Sequence, residues 1–121
     1  MLTFQMQIDI DRAKLDAKRT QSKRAAQMML DQDVLKDSNN YIPKQIGTLE
    51  GSGIRSSLIG QGLIIWDTPY ARRLYYNPQY NFSTDKNPYA RGLWFEEAKA
   101  VRKGFWLDKV RQNYEQYFNG K

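Results

Sequence analysis

The chain has 121 residues, of which 40% are hydrophobic and 13% aromatic, enough for one domain with a real core and too apolar for intrinsic disorder. Nineteen Lys and Arg against thirteen Asp and Glu give a net charge of +6, which admits nucleic acid, a membrane surface or an acidic protein as partner. The absence of cysteine removes disulfides and thiolate metal sites, and no stretch approaches the ~18 apolar residues of a membrane span.

The first ten residues alternate: Leu2, Phe4, Met6, Ile8 and Ile10 are apolar, and Thr3, Gln5, Gln7 and Asp9 lie between them. Period two predicts a strand with one buried face, and it is not the continuous apolar run of a signal peptide, so no targeting segment is expected. Asp9 or Asp11 is placed to cap a helix starting just after them. From about Arg12 to Lys36 there is no Pro or Gly, and Ala, Lys, Arg, Gln, Met and Leu dominate, which predicts that helix. Its apolar residues gather at Ala25, Ala26, Met28, Met29, Leu30, Val34 and Leu35, so its second half should pack and its first half stay exposed. Asp37-Ser-Asn-Asn should stop it.

Residues 41–53 read as a loop. Ile54 to Leu58 and Leu63 to Trp66 read as two strands of a hairpin around Gly60-Gln-Gly62. Pro69 suits the first turn of a short helix capped by Thr68 or Asp67. A long loop at about 76–88 carries two prolines and no helical period. A last helix starts near Gly92, with Trp94, Ala98, Val101 and Phe105 on its buried face, Leu107, Val110, Tyr114 and Tyr117 continuing it, and a bend allowed at Gly104. Lys103, Lys109 and Arg111 should face solvent. Pro-Tyr-Ala-Arg occurs at 69–72 and again at 88–91, in flanks too different for a duplicated unit, and both copies read as helix starts. All these elements are expected in a single domain over 1–121.

Chemistry is hard to assemble from these residues. With no His, the commonest base near neutral pH is missing. Ser52, Ser56 and Ser57 have no activating motif beside them. Glu96 and Glu97 are adjacent on a helix and point about 100° apart, so they do not converge. Asp9 and Asp11 have a spacing common by chance, and Gly51-Ser-Gly53 lacks the strand–turn–helix setting and the following Lys of a phosphate loop. No catalytic residue, metal, cofactor or small-molecule substrate is therefore expected.

The run from Trp66 to Phe82, dense in Tyr and Arg, looks built for gripping a partner, since such residues anchor protein interfaces. Trp66, Tyr70, Trp94 and Phe105 fall where a core would use them. Tyr75, Tyr76, Tyr80 and Phe82 crowd a Pro/Asn-rich loop, and with Arg72 and Arg73 they are the candidate subunit interface. The basic stretch with Arg12, Lys18, Arg19 and Lys23 is either a solvated helix face or a small DNA-binding module, and it has too few large apolar residues for a membrane helix.

Three strings carry a resemblance: Y-I-P-K-Q-I-G-T-L-E-G-S at 41–52, I-I-W-D-T-P-Y-A-R-R-L-Y-Y at 64–76, and N-F-S-T-D-K-N-P-Y-A-R-G-L-W-F-E-E-A-K at 81–99. Together they resemble the minor capsid proteins of tailed phages of Gram-positive bacteria, small head–tail joining proteins related to the tail-completion family. Pro43, Gly47, Leu49 and Ser52 fill the pattern P-x-x-x-G-x-L-x-x-S. The resemblance implies an α+β fold, a small antiparallel β-sheet packed against a long helix in the N-terminal half and a C-terminal helix. It also implies a virion protein assembled in the host cytoplasm and forming a ring, a hexamer or dodecamer, as connector, stopper or tail terminator. Its implied partners are other copies of itself, portal, neck or tail-tube proteins, and packaged DNA in the lumen. The shared motifs are structural, so they bring no catalytic residues with them.

Overall fold

The computed structural model describes residues 1–7, 17–44, 47–80, 82, 84 and 87–118, without the side chains of residues 17–19, 47 and 117. The architecture is α+β, and its elements in chain order are β1 (Leu2–Gln5), α1 (Ala17–Asn39), α2 (Gly47–Ser56), β2 (Leu63–Trp66), α3 (Ala71–Tyr75) and α4 (Trp94–Phe118).

The period-two pattern at the start becomes β1, with Leu2 buried, Phe4 packed on the core and Thr3 and Gln5 turned to solvent. The expected continuation to Ile10, and Asp9 and Asp11 with it, lies outside the described residues. The partner of β1 is β2, antiparallel, with Leu2 opposite Trp66 and Phe4 opposite Ile64. These four residues share the buried face, because opposed residues of a sheet point the same way. The expected hairpin from 54–58 to 63–66 is corrected: Ile54 to Ser56 are helical, and only a single bridge joins Leu58 to Leu63. Ser57 takes over the outer edge of β2, where its Oγ accepts the Ile65 N–H at 2.9 Å.

The reading of 41–53 as a loop is also corrected, since α2 occupies 47–56. Gly47, Gly51 and Gly53 lower its intrinsic propensity by about 1 kcal/mol each relative to Ala. Tertiary packing overrides this. Leu49, Ser52 and Gly53 are buried, and a Cβ at position 53 would lie 2.5 Å from Trp66 Nε1, so the helix can approach β2 only with glycine there.

Helix α1 runs on through the residues expected to stop it. Asp37, Ser38 and Asn39 form its last turn and are buried. Asn39 Oδ1 accepts the Trp66 indole N–H at 3.1 Å, and Asp37 Oδ2 accepts that of Trp106 at 2.7 Å and Arg102 Nε at 3.3 Å. Short polar side chains that normally compete with the helix backbone are spent on tertiary partners instead. Along α1 the packing is also less apolar than expected. Ser22, Gln27 and Asp31 are buried beside Ala26, Val34 and Leu35, whereas Met28 and Met29 face solvent.

Asp31 explains part of this. Its Oδ2 accepts the backbone N–H groups of both Gly60 and Gly62 at 2.8 Å, and its Oδ1 accepts Gln27 Nε2, which also reaches Met6 O. Gly60 and Gly62 have φ of +96° and +76°, which L side chains rarely adopt. One buried carboxylate thus ties the turn before β2 to the long helix.

Helices α1 and α4 pack along each other: Asp37, in the last turn of α1, meets Arg102 and Trp106 in the middle of α4. The expected buried face of α4 is half right. Trp94 and Ala98 are buried, but Val101, Phe105 and Leu107 are exposed, and Phe95 and Trp106 take their place. Phe105 is therefore not a core residue, and its ring lies under the Arg102 guanidinium at 4.1 Å. Lys109, expected in solvent, is half-buried, and α4 passes through Gly104 as one continuous helix.

The two Pro-Tyr-Ala-Arg copies open the same kind of turn: Ala71 N–H donates to Thr68 O at 3.2 Å, and Ala90 N–H to Asn87 O at 3.1 Å. Only the first leads directly into a helix. Pro69 precedes α3 rather than lying in it, and the helix has Tyr70 at its N-cap with no side-chain cap from Thr68 or Asp67. After the second copy the chain is pinned elsewhere. Arg91 N–H donates to Tyr41 O, Leu93 N–H donates to Tyr75 O, and α4 starts only at Trp94.

Candidate assembly interface

Six rings make the centre of the core: Phe4, Trp66, Tyr75, Trp94, Phe95 and Trp106. All three tryptophans of the chain are among them. Phe4 stacks on Phe95 at 4.5 Å, and Tyr75 stands edge-on to Trp94 at 4.8 Å. Such pairs add about 0.5–1.5 kcal/mol beyond the area they bury. Tyr75 is 1% exposed. Its hydroxyl donates to Glu96 Oε1 at 3.4 Å and accepts the Glu96 N–H at 3.3 Å. Burial, reinforced by the Glu96 carboxylate, pushes its pKa far above the ordinary tyrosine value, so the phenol stays protonated.

The candidate interface of Arg72, Arg73, Tyr75, Tyr76, Tyr80 and Phe82 is therefore split. Tyr75 faces inward and is unavailable to a partner. Its neighbour Tyr76 is 56% exposed, resting edge-on against the Tyr75 ring at 5.0 Å. Tyr80 is exposed and pairs loosely with the half-buried Phe82, ring centroids 6.2 Å apart. Arg72 and Arg73 are exposed on α3, with the Arg72 guanidinium 5.9 Å from the Tyr76 ring. Arg72, Arg73, Tyr76 and Tyr80 thus form a ridge of cations and amphipathic rings on the surface. As expected, Trp66 is core and fully buried, and Tyr70 is half-buried, its hydroxyl 2.6 Å from Thr48 Oγ1.

The residues that hold the ridge in place belong to no single motif. Asn87 is buried and donates through Nδ2 to both Asn40 O and Ile42 O, at 2.8 and 2.9 Å, while its Oδ1 accepts the Tyr89 N–H. Gly92 lies against the carbonyls of Leu74 and Tyr75 and the Cα of Pro78, the nearest 2.9 Å from where a Cβ would sit. The far end of the long loop is thus fastened to the end of α1, and its base to the end of α3. The sequence signal for this clamp, an asparagine before a proline, occurs also at Asn77-Pro78, where Asn77 closes its own turn on Arg73 O.

Of the basic residues proposed to face DNA, Arg12 and the side chains of Lys18 and Arg19 lie outside the described residues, and Lys23 is exposed. Among the described residues no three His, Cys, Asp or Glu side chains gather as a metal site would require, and no helix is long and apolar enough to cross a membrane.

Residues 4–113 match the minor capsid protein family, and the chain belongs to that family, a structural component of the phage virion. No curated protein and no solved structure matches the chain.

Proposed function

We propose that the chain is a ring-forming subunit at the head–tail junction of a tailed phage of Gram-positive bacteria, serving as connector, stopper or tail terminator around the path of the DNA. It acts by binding and not by catalysis. The observation that carries the reading is the exposed ridge of Arg72, Arg73, Tyr76 and Tyr80 beside a core that has already taken Tyr75 and all three tryptophans. Rings left outside a full core have the composition of interface anchors. Family membership supplies the setting in which such a surface is used. A hexamer or dodecamer would give each copy two neighbours, joined head to tail.

Electron microscopy of lysates from a phage carrying a nonsense mutation in this gene tests the reading. Separate heads and tails are expected for a joining role, with finished tails beside full heads for the terminator or connector interface and overlong or ragged tails for length termination. Normal infectious particles would overturn it.

A further inference from the structure

The sheet has two strands, and the fold treats its two outer edges differently. The Met6 N–H donates to Gly62 O at 2.6 Å, in register with Phe4 opposite Ile64 and Leu2 opposite Trp66. Bonded and non-bonded pairs alternate in an antiparallel ladder. Leu2 and Phe4 therefore turn their N–H and C=O groups to β2, and Thr3 and Gln5 turn theirs outward. On β2 the outward residues are Leu63 and Ile65, and that edge is closed. Leu58 N–H donates to Leu63 O at 2.8 Å, and Ser57 Oγ accepts the Ile65 N–H at 2.9 Å. On β1 the outward N–H and C=O groups of Thr3 and Gln5 have no partner among the described residues, and both residues are exposed.

Open backbone groups on a strand edge are a template for another strand, and proteins blunt such edges with proline, lysine or a bulge. Here residues 2–7 hold no proline, glycine or charged side chain, and the register of β1 runs without a bulge. We propose that the edge of β1 is a strand-addition site, filled in the virion by an extended segment of a different virion protein. The inference rests on the ring reading above and names a second contact, separate from the ridge. An edge specifies its cover more closely than an apolar patch does, because only extended backbone presents N–H and C=O groups with the alternation that Thr3 and Gln5 require. A second copy has no described strand to give. The same edge of two copies pairs only across a two-fold axis, which neighbours joined head to tail do not have, and β2 is already closed by Ser57 and Leu58. The added segment carries apolar side chains on the face of Leu2 and Phe4 and polar ones on the face of Thr3 and Gln5, since opposed residues share a face.

Proline at position 5 removes an outward N–H and leaves the bonds to β2 in place. Gln5→Pro is supplied to phage carrying the nonsense mutation, and its melting curve is compared with that of the parent. A melt close to that of the parent with loss of joined particles is expected. Full joining by Gln5→Pro, where the nonsense mutant alone joins none, would overturn the edge assignment and leave the ring reading standing. Normal particles from the nonsense mutant would overturn both. Residue-resolved hydrogen exchange of the parent chain decides the matter without a variant. The Thr3 and Gln5 amides should exchange freely in the purified chain and become protected in particles, and unchanged exchange would overturn the proposal. The chain has no cysteine, so a photoactivated cross-linker on Thr3→Cys identifies the neighbour in particles without background. Attachment to a different virion protein is expected, and attachment to a second copy would overturn the assignment.

Discussion

Tyr75 and Tyr76 are neighbours in the chain and opposites in the fold. Tyr75 is enclosed by Phe4 and Trp94 and hydrogen-bonded to Glu96, whereas Tyr76 leans on the outside of the same ring. The two regions that they represent, the six-ring core and the exposed ridge, draw on the same residue types. Three of the core rings have a partner inside for their polar atom, whereas the Trp94 indole N–H is buried without one among the described residues. Trp66 and Trp106 donate to Asn39 and Asp37 from the last turn of α1, and Tyr75 is tied to Glu96. Burying a ring with a polar tip is favourable when the fold supplies the partner, and costly when it does not. Tyr76 and Tyr80 reach out of the fold, to where water or another chain must satisfy them.

Changes on the core side of this contrast should have the largest effects. Trp66→Ala removes the ring at the meeting of the sheet, α2 and Asn39, and should cost about 4 kcal/mol, seen as a large drop in the urea midpoint. A small shift would mean that the aromatic cluster is not what holds the fold. Next comes Asp31→Ala, which leaves the Gly60 and Gly62 N–H groups without their buried acceptor. It should cost about 3 kcal/mol, measured the same way, and hydrogen exchange at those two amides should rise.

A much smaller change is expected at the polar rim of the core. Burial first, and then the neighbouring Asp37 carboxylate, raise the Asp33 pKa above its ordinary value, against the opposing pull of Lys109, Lys36 and Arg102. A carboxyl whose folded pKa is raised holds its proton more tightly when folded. Its charged form thus lowers stability at pH 7, and this loss fades as the pH falls from the raised value through 3.8. Asp33→Asn should therefore stabilise slightly at pH 7, and the gain should vanish near pH 3, as thermal melts across that range would reveal.

Much of the fold was legible because its signals were periodic or compositional: the alternation in β1, the Pro/Gly-free stretch of α1, the start of α4 and the presence of a turn at Gly60 and Gly62. Helix α2 was hidden because it carries three glycines, of which Gly53 serves close packing beneath Trp66, and a propensity reading sees only their cost. The end of α1 was misplaced because Asp37 and Asn39 look like stop signals until their indole partners are known. The face of α4 was rotated because the four-three-four spacing through Ala98 and Val101 leads from Trp94 to Phe105, while the core takes Trp106, whose N–H finds Asp37. The ridge was half legible. The Pro/Asn-rich setting of Tyr76 and Tyr80 marks them as surface aromatics, but nothing in the order Tyr-Tyr says which ring turns inward.

If the ridge serves assembly while the core alone holds the fold, the two roles can be separated in one variant. Tyr80→Ala combined with Phe82→Ala does this, measured by thermal unfolding of the purified chain and by the yield of joined particles. The expected result is a melting curve within about 0.5 kcal/mol of the parent, as for surface changes generally, together with loss of joined particles. A melt lowered as far as that of Trp66→Ala, or particles joined as before, would contradict it.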